Sequence, residues 1–158
     1  MITPNEQFMR LALDACAKGI EHGQSPFGAC IVRGSDIVAF AHNRVWQTTD
    51  ITAHAEVTAL RAACLELNTV DLAGCVIYST TEPCPMCFSA IHWANCDGIV
   101  YGASIADAAA AGFRELPVSN EQLKQMGGSK VEIIGGFMKN EALELFQKFI
   151  SRAGRRVY

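Results

Sequence analysis

The sequence predicts a layered α/β fold whose first two strands pair antiparallel and whose later strands can run parallel, and three observations carry that expectation. Helical apolar patterns occupy both ends of the chain, with short apolar runs between them. The first two runs are separated by only four residues, the spacing of an antiparallel hairpin. The later runs alternate with helical stretches, which lets them run parallel through crossover connections. The chain has 158 residues, half of them hydrophobic and 18% charged. That is enough to bury one core, so a single domain over 1–158 is expected.

Taken in order, Thr3-Pro4-Asn5-Glu6 reads as a helix start with Thr3 as its cap. Phe8, Ala12, Ala15 and Cys16 then repeat at helical spacing to about Glu21. Two strands follow, Phe27 to Val32 and Ile37 to His42, joined by Arg33-Gly34-Ser35-Asp36. Thr52 is the candidate cap of a second helix, Ala53 to Leu67. Val76 to Ser79 is a buried strand, Cys84-Pro85 opens a helix, and Gly98 to Tyr101 is a further strand. The alanine-rich stretch Gly102 to Pro117 reads as a loop, and Val131 to Ile134 as the last strand. Ala142, Leu145, Phe146 and Phe149 form the apolar face of a C-terminal helix.

The formal net charge of −3 supplies no broad basic surface for a polyphosphate backbone, so a small, weakly charged partner is favoured over nucleic acid. No run of about 18 apolar residues is present, and a membrane span is not expected. The first residues lack a basic segment followed by an apolar one, so no secretory leader is expected. Seven cysteines without a leader then point to a reducing compartment, the cytoplasm.

Two segments carry chemistry. His54-Ala55-Glu56 and Pro83-Cys84-Pro85-Met86-Cys87 both fall at helix starts. Cysteines three apart on a helix present both sulfurs to one ion, and unpaired N–H groups at a helix start favour thiolates. One imidazole and two thiolates give a tetrahedral zinc three protein ligands and leave one position for water, the pattern of a catalytic site. Glu56, two residues beyond His54, points to a different face and is placed to move protons. A lone C-x-x-C also fits a redox pair or half of a structural site. Cys64, Cys75 and Cys96 offer no second closely spaced pair, and with Cys16 and Cys30 they read as core thiols.

H-x-E followed by P-C-x-x-C is the signature of the zinc nucleobase deaminases, and the chain resembles the cytidine deaminase-like superfamily over nearly its whole length. Pro26-Phe27-Gly28-Ala29 and Asn43 belong to the match. The resemblance implies the three-layer α/β/α sandwich of that superfamily, with a central mixed five-stranded sheet. It also implies one zinc held by His54, Cys84 and Cys87, a proton shuttle at Glu56, and a ring contact from Asn43. Phe27, Ala55 and Trp93 are implied as pocket walls.

His54 to Arg61, Trp93, Asp107 to Phe113 and the terminal Tyr158 resemble bacterial guanine deaminases. In those enzymes the C-terminal segment reaches a neighbouring site in a domain-swapped homodimer, and the tyrosine closes over the substrate. Two aspartates follow the phenylalanine there, whereas Arg114-Glu115 follows Phe113 here, so Glu115 is expected to stand in for the purine-reading carboxylate. Lys130-Val131-Glu132-Ile133 and the last helix look more like tRNA adenosine deaminases. The expected reaction is guanine to xanthine and ammonia. Cytosine, a triazine, a nucleoside or tRNA adenosine are the alternatives.

Overall fold

The computed structural model describes all residues, Met1–Tyr158. The elements are α1 (Glu6–Glu21), β1 (Gly28–Arg33), β2 (Asp36–His42), α2 (Val45–Thr48), α3 (Ala55–Leu67), β3 (Cys75–Thr81), α4 (Pro85–Trp93), β4 (Gly98–Ala103), α5 (Ile105–Ala110), α6 (Asn120–Gly127), β5 (Glu132–Ile134) and α7 (Lys139–Ile150). The five strands form one sheet in the order β2-β1-β3-β4-β5. β1 pairs antiparallel with β2 and β3, and β3, β4 and β5 run parallel. No helix is long and apolar enough to cross a membrane.

Strand alternation splits the core into two layers. Cys30, Val32, Tyr78 and Val100 face Met9, Ala12 and Cys16 of α1 and Ala142, Phe146 and Phe149 of α7. Ala29, Ile31, Ile77 and Ile99 face Ala59, Leu60 and Ala63 of α3 and Phe88 and Ile91 of α4. This is the expected α/β/α sandwich. α1 lies so close to β1 that a Cβ on Gly28 would stand 2.1 Å from the Ala12 carbonyl oxygen, so only glycine fits beside Phe27.

The boundaries differ from the sequence reading where side chains found other partners. Asn5, not Thr3, caps α1: its Oδ1 accepts from Gln7 N at 2.8 Å, and its own N–H donates to the Tyr78 hydroxyl at 3.2 Å. Residues before it run extended, with the Ile2 N–H on the Glu132 carboxylate at 3.0 Å. Thr52 does not cap α3, because its hydroxyl donates to Asp50 Oδ1 at 2.6 Å; His54 takes that position. The stretch Gly102 to Pro117 holds α5, and α2 and α6 have no counterpart in the apolar pattern. α5 and α6 each start on a capping box, Ser104 with Asp107 and Ser119 with Gln122, a signal that was present in the sequence.

Asp107 joins this cap to α7. Its Oδ2 accepts from the Ser104 N–H and hydroxyl, both at 2.7 Å, and pairs with Lys139 Nζ at 2.8 Å. Burial alone would raise its pKa, but the bonds from Lys139 and Ser104 bring it below the ordinary value. A carboxyl with a depressed folded pKa adds stability above its unfolded pKa of about 4, and that stability fades as pH falls through the folded value. Asp107→Ala should therefore cost about 1 kcal/mol in urea unfolding at pH 7, with the gap to wild type narrowing below about pH 4. An equal gap at both pH values would show that the charge does not contribute.

Candidate active site

α3 and α4 both begin beside the carboxyl end of β3, and each is capped by a residue whose side chain leaves its own helix free. His54 caps α3 at φ −61°, ψ 157°, and Cys84 caps α4 at φ −62°, ψ 166°, with Pro85 next. Neither makes a side-chain cap bond. The two side chains meet instead, and Cys87 joins them from the first turn of α4. Cys84 Sγ lies 3.6 Å from Cys87 Sγ and 3.6 Å from His54 Nδ1, and Cys87 Sγ lies 3.5 Å from the same nitrogen.

Those distances test the fit to a metal. Two Zn–S bonds at a tetrahedral angle set the sulfurs about 3.8 Å apart, and one Zn–S with one Zn–N bond sets S and N about 3.6 Å apart. The donors already stand within about 0.2 Å of both values, the agreement a zinc site requires. Cys84 is held as a thiolate, its pKa well below the ordinary range because Cys87 and His54 hydrogen-bond to it against the cost of burial. The thiol of Cys87 is held up by its bond to Cys84 and by burial. Burial opposes protonation of His54, but the Cys84 bond and the charges of Cys84, Glu56 and Glu115 raise its pKa. A divalent cation answers this concentration of negative charge. His54, Cys84 and Cys87 form a site for zinc.

Glu56, on the first turn of α3, is 5% exposed. Its Oε1 accepts from the Ser79 hydroxyl at 3.0 Å, and its Oε2 lies 3.6 Å from Cys87 Sγ. Burial first, and then the Cys84 charge, raise its pKa; His54 and Ser79 lower it in part. A second carboxyl, Glu115, lines the same recess with Phe27, Thr81, Glu82 and Tyr158, and burial and the Cys84 charge push its pKa up to about 7.

Above the ligands opens a chamber of about 360 Å³ bounded by Ile51, Met86, Arg114, Leu116 and Tyr158. The Tyr158 ring is 5.5 Å from His54, 5.6 Å from Phe113 and 6.1 Å from Trp46, and its hydroxyl meets the Asn43 side-chain amide. Asn43 is fully buried, its Oδ1 accepting from Val45 N at 3.1 Å. Arg156 lies 4.4 Å above the Trp46 ring, and Arg114 N donates to the Tyr158 carbonyl at 3.2 Å, fastening the tail. The tail thus lies over the site.

The profile of the cytidine and deoxycytidylate deaminase zinc-binding region matches residues 2–103, the span that holds all three donors and Glu56. The chain belongs to this family. Members of the family are zinc-dependent hydrolytic deaminases, and the site has the ligand set such an enzyme needs. The chain is 44% identical to guanine deaminase of Bacillus subtilis over 110 residues, 69% of this chain and 70% of that protein. It is 30% identical to the tRNA-specific adenosine deaminase of the same organism over 148 residues, 94% and 89% of the two chains. Among solved structures it matches guanine deaminase from Nitrosomonas europaea with a TM-score of 0.87 at 26% identity, covering 96% and 87% of the two chains. A tRNA:A34 deaminase matches with a TM-score of 0.79 at 30% identity, covering 89% and 99%.

Two implied pocket walls of this deaminase lie elsewhere. Trp93 is 81% exposed at the far end of α4, in a groove with Phe88, Leu123 and Met126, because nine residues carry that helix away from its metal-bearing start. Ala55 is fully buried in the core layer under α3 and lines neither chamber. Phe27, Asn43, Glu115 and Tyr158 do gather around the ligands.

Sequence reasoning missed Ser79, Thr81, Trp46 and the clamp behind the ligands. The buried Glu82 carboxylate accepts from Ile105 N at 3.2 Å and Asn120 N at 2.9 Å, and Asn120 Nδ2 donates to Pro83 O at 2.6 Å. This ties the loop before Cys84 to α5 and α6. Glu82 directly precedes the P-C-x-x-C segment, but its partners are distant in sequence and gave no local signal. Cys87→Ser should lower zinc affinity by more than the roughly 10–100-fold cost of losing an outer-shell partner. Metal analysis after dialysis checks this, and stoichiometric zinc in the variant would remove Cys87 from the ligand set.

Proposed function

We propose that the chain deaminates free guanine, releasing xanthine and ammonia. One observation carries the reading: Tyr158 lies across the mouth with its hydroxyl on Asn43, so the reacting centre is a covered recess that suits a small ring. The likeness to guanine deaminases supports it, including a structure in complex with 2,6-diaminopurine at a TM-score of 0.88 and 27% identity. The net charge of −3 agrees with a small substrate.

When bound, zinc supplies Lewis acidity between His54, Cys84 and Cys87 and lowers the pKa of water. Glu56 moves the protons. With Oε1 held by Ser79, Oε2 carries one proton from the attacking water to the ring nitrogen and then the second, from the new C–OH, to the departing amine as the carbonyl forms. A C–O bond forms, a C–N bond breaks, and no electrons are exchanged. The raised pKa of Glu56 keeps its protonated form within reach during this transfer. As Tyr158 lifts, the Asn43 amide becomes available to the ring edge, and Phe27 forms an apolar wall. Glu115, with a pKa of about 7, serves the ring edge as acceptor when ionised and as donor when protonated.

A second reading, deamination of adenosine in tRNA, is favoured by 30% identity extending over 94% of the chain. It requires the tail to stand clear and Arg114, Arg155 and Arg156 to meet phosphates.

Ammonia release from guanine, cytosine, adenosine and a tRNA anticodon stem separates the readings. Turnover of guanine alone is expected, with Glu56→Gln lowering kcat about 10²- to 10⁴-fold at unchanged zinc content. Turnover of the tRNA stem without guanine would overturn the first reading in favour of the second.

A further inference from the structure

β3 sends alternate side chains to opposite faces, and its last turns decide what the recess presents to a ligand. Tyr78 packs in the α1 and α7 layer, and the Thr80 hydroxyl accepts from Gly28 N at 3.1 Å. Ile77 packs in the α3 and α4 layer, and the Ser79 hydroxyl reaches Glu56 on that same side. Thr81 follows Ser79 by two residues and lines the recess with Phe27, His54, Glu56 and Glu115. It is 4% exposed, and its hydroxyl is buried with no hydrogen-bond partner in the protein.

Ser79 and Thr81 therefore differ in one respect: the first hydroxyl is committed to Glu56 and the second is committed to nothing. A buried hydroxyl without a partner weakens the folded state, and Val or Ala would fill this position at lower cost. Such a group is explained where a ligand completes its bond. A site built around a hydrogen bond to its substrate also rejects analogues that lack the matching atom far better than an apolar wall does.

We propose that Thr81 is a specificity-determining residue whose hydroxyl hydrogen-bonds a polar edge atom of the amino-heterocycle entering this recess. The hydroxyl both donates and accepts, so it meets a ring nitrogen, a carbonyl oxygen or an exocyclic amine. The proposal rests on the deaminase reading of the site and holds for any base of that class. Thr81 is not among the metal donors, so its loss leaves the zinc site whole.

The test uses zinc-loaded wild type, Thr81→Val and Thr81→Ser, with 8-azaguanine binding by calorimetry and ligand-free thermal unfolding. Thr81→Val should keep full zinc and unfold at the same temperature or about 2 °C higher, since it relieves an unsatisfied group. It should bind 8-azaguanine on the order of ten-fold more weakly, and Thr81→Ser should restore most of the affinity. Equal binding by Thr81→Val and wild type would overturn the proposal. A wild type that ignores 8-azaguanine would instead count against guanine, and the comparison then moves to whichever base the wild type deaminates. There a loss in Thr81→Val sustains the proposal and parity overturns it. If the wild type deaminates none of the bases, unfolding decides. A midpoint lowered by about 2 °C or more would make the hydroxyl structural and overturn the proposal, and an unchanged or raised one sustains it.

Discussion

Everything in this molecule depends on two helix N-termini being brought to one point. The first turn of a helix carries unpaired N–H groups and a partial positive charge, and α3 and α4 both direct theirs toward the donors they carry. Cys84 is held as a thiolate by the Cys87 and His54 side chains against the cost of burial, with the Cys87 backbone N–H at the helix start adding to them. Two helices begin side by side because β3 supplies the shared platform: α3 packs beneath it and α4 leaves its carboxyl end through Glu82-Pro83-Cys84. The Glu82 and Asn120 clamp then fixes that short segment to α5 and α6.

The recess around these donors concentrates negative charge in a low-dielectric space. Burial first, and then the Cys84 charge, raise the cost of ionising Glu56 and Glu115, which is why both carboxyls titrate above the ordinary range. A divalent cation relieves that repulsion and leaves carboxyls suited to passing protons rather than to binding a cation. The tail completes the enclosure, with Tyr158 held by Asn43 below, Arg114 alongside, and Arg156 stacked on Trp46.

The readable part of this architecture was the part encoded locally. Cys84 and Cys87 are one helical turn apart, and His54 precedes a helix, so the gathering of these three donors followed from spacing and residue type. The amphipathic faces of α1 and α7 and the hairpin of β1 and β2 were equally legible, because period and turn residues agreed. Capping boxes at Ser104 and Ser119 were present but outweighed by the short, alanine-rich or polar character of α5 and α6. The resemblance implies Trp93 and Ala55 as pocket walls, but helix geometry carries the first away from the donors and the second into the core. Ser79, Glu82 and Asn120 act through partners 23 to 38 residues away and the Thr81 hydroxyl has none, so spacing along the chain holds no record of them.

X-ray absorption at the zinc edge of the loaded protein tests the central claim most directly. Two sulfurs at about 2.3 Å and two nitrogen or oxygen atoms at about 2.0–2.2 Å are predicted, with an imidazole scattering signature from His54. A shell of four sulfurs, or one with no sulfur, would contradict the account and break the link between the paired helix starts and the chemistry.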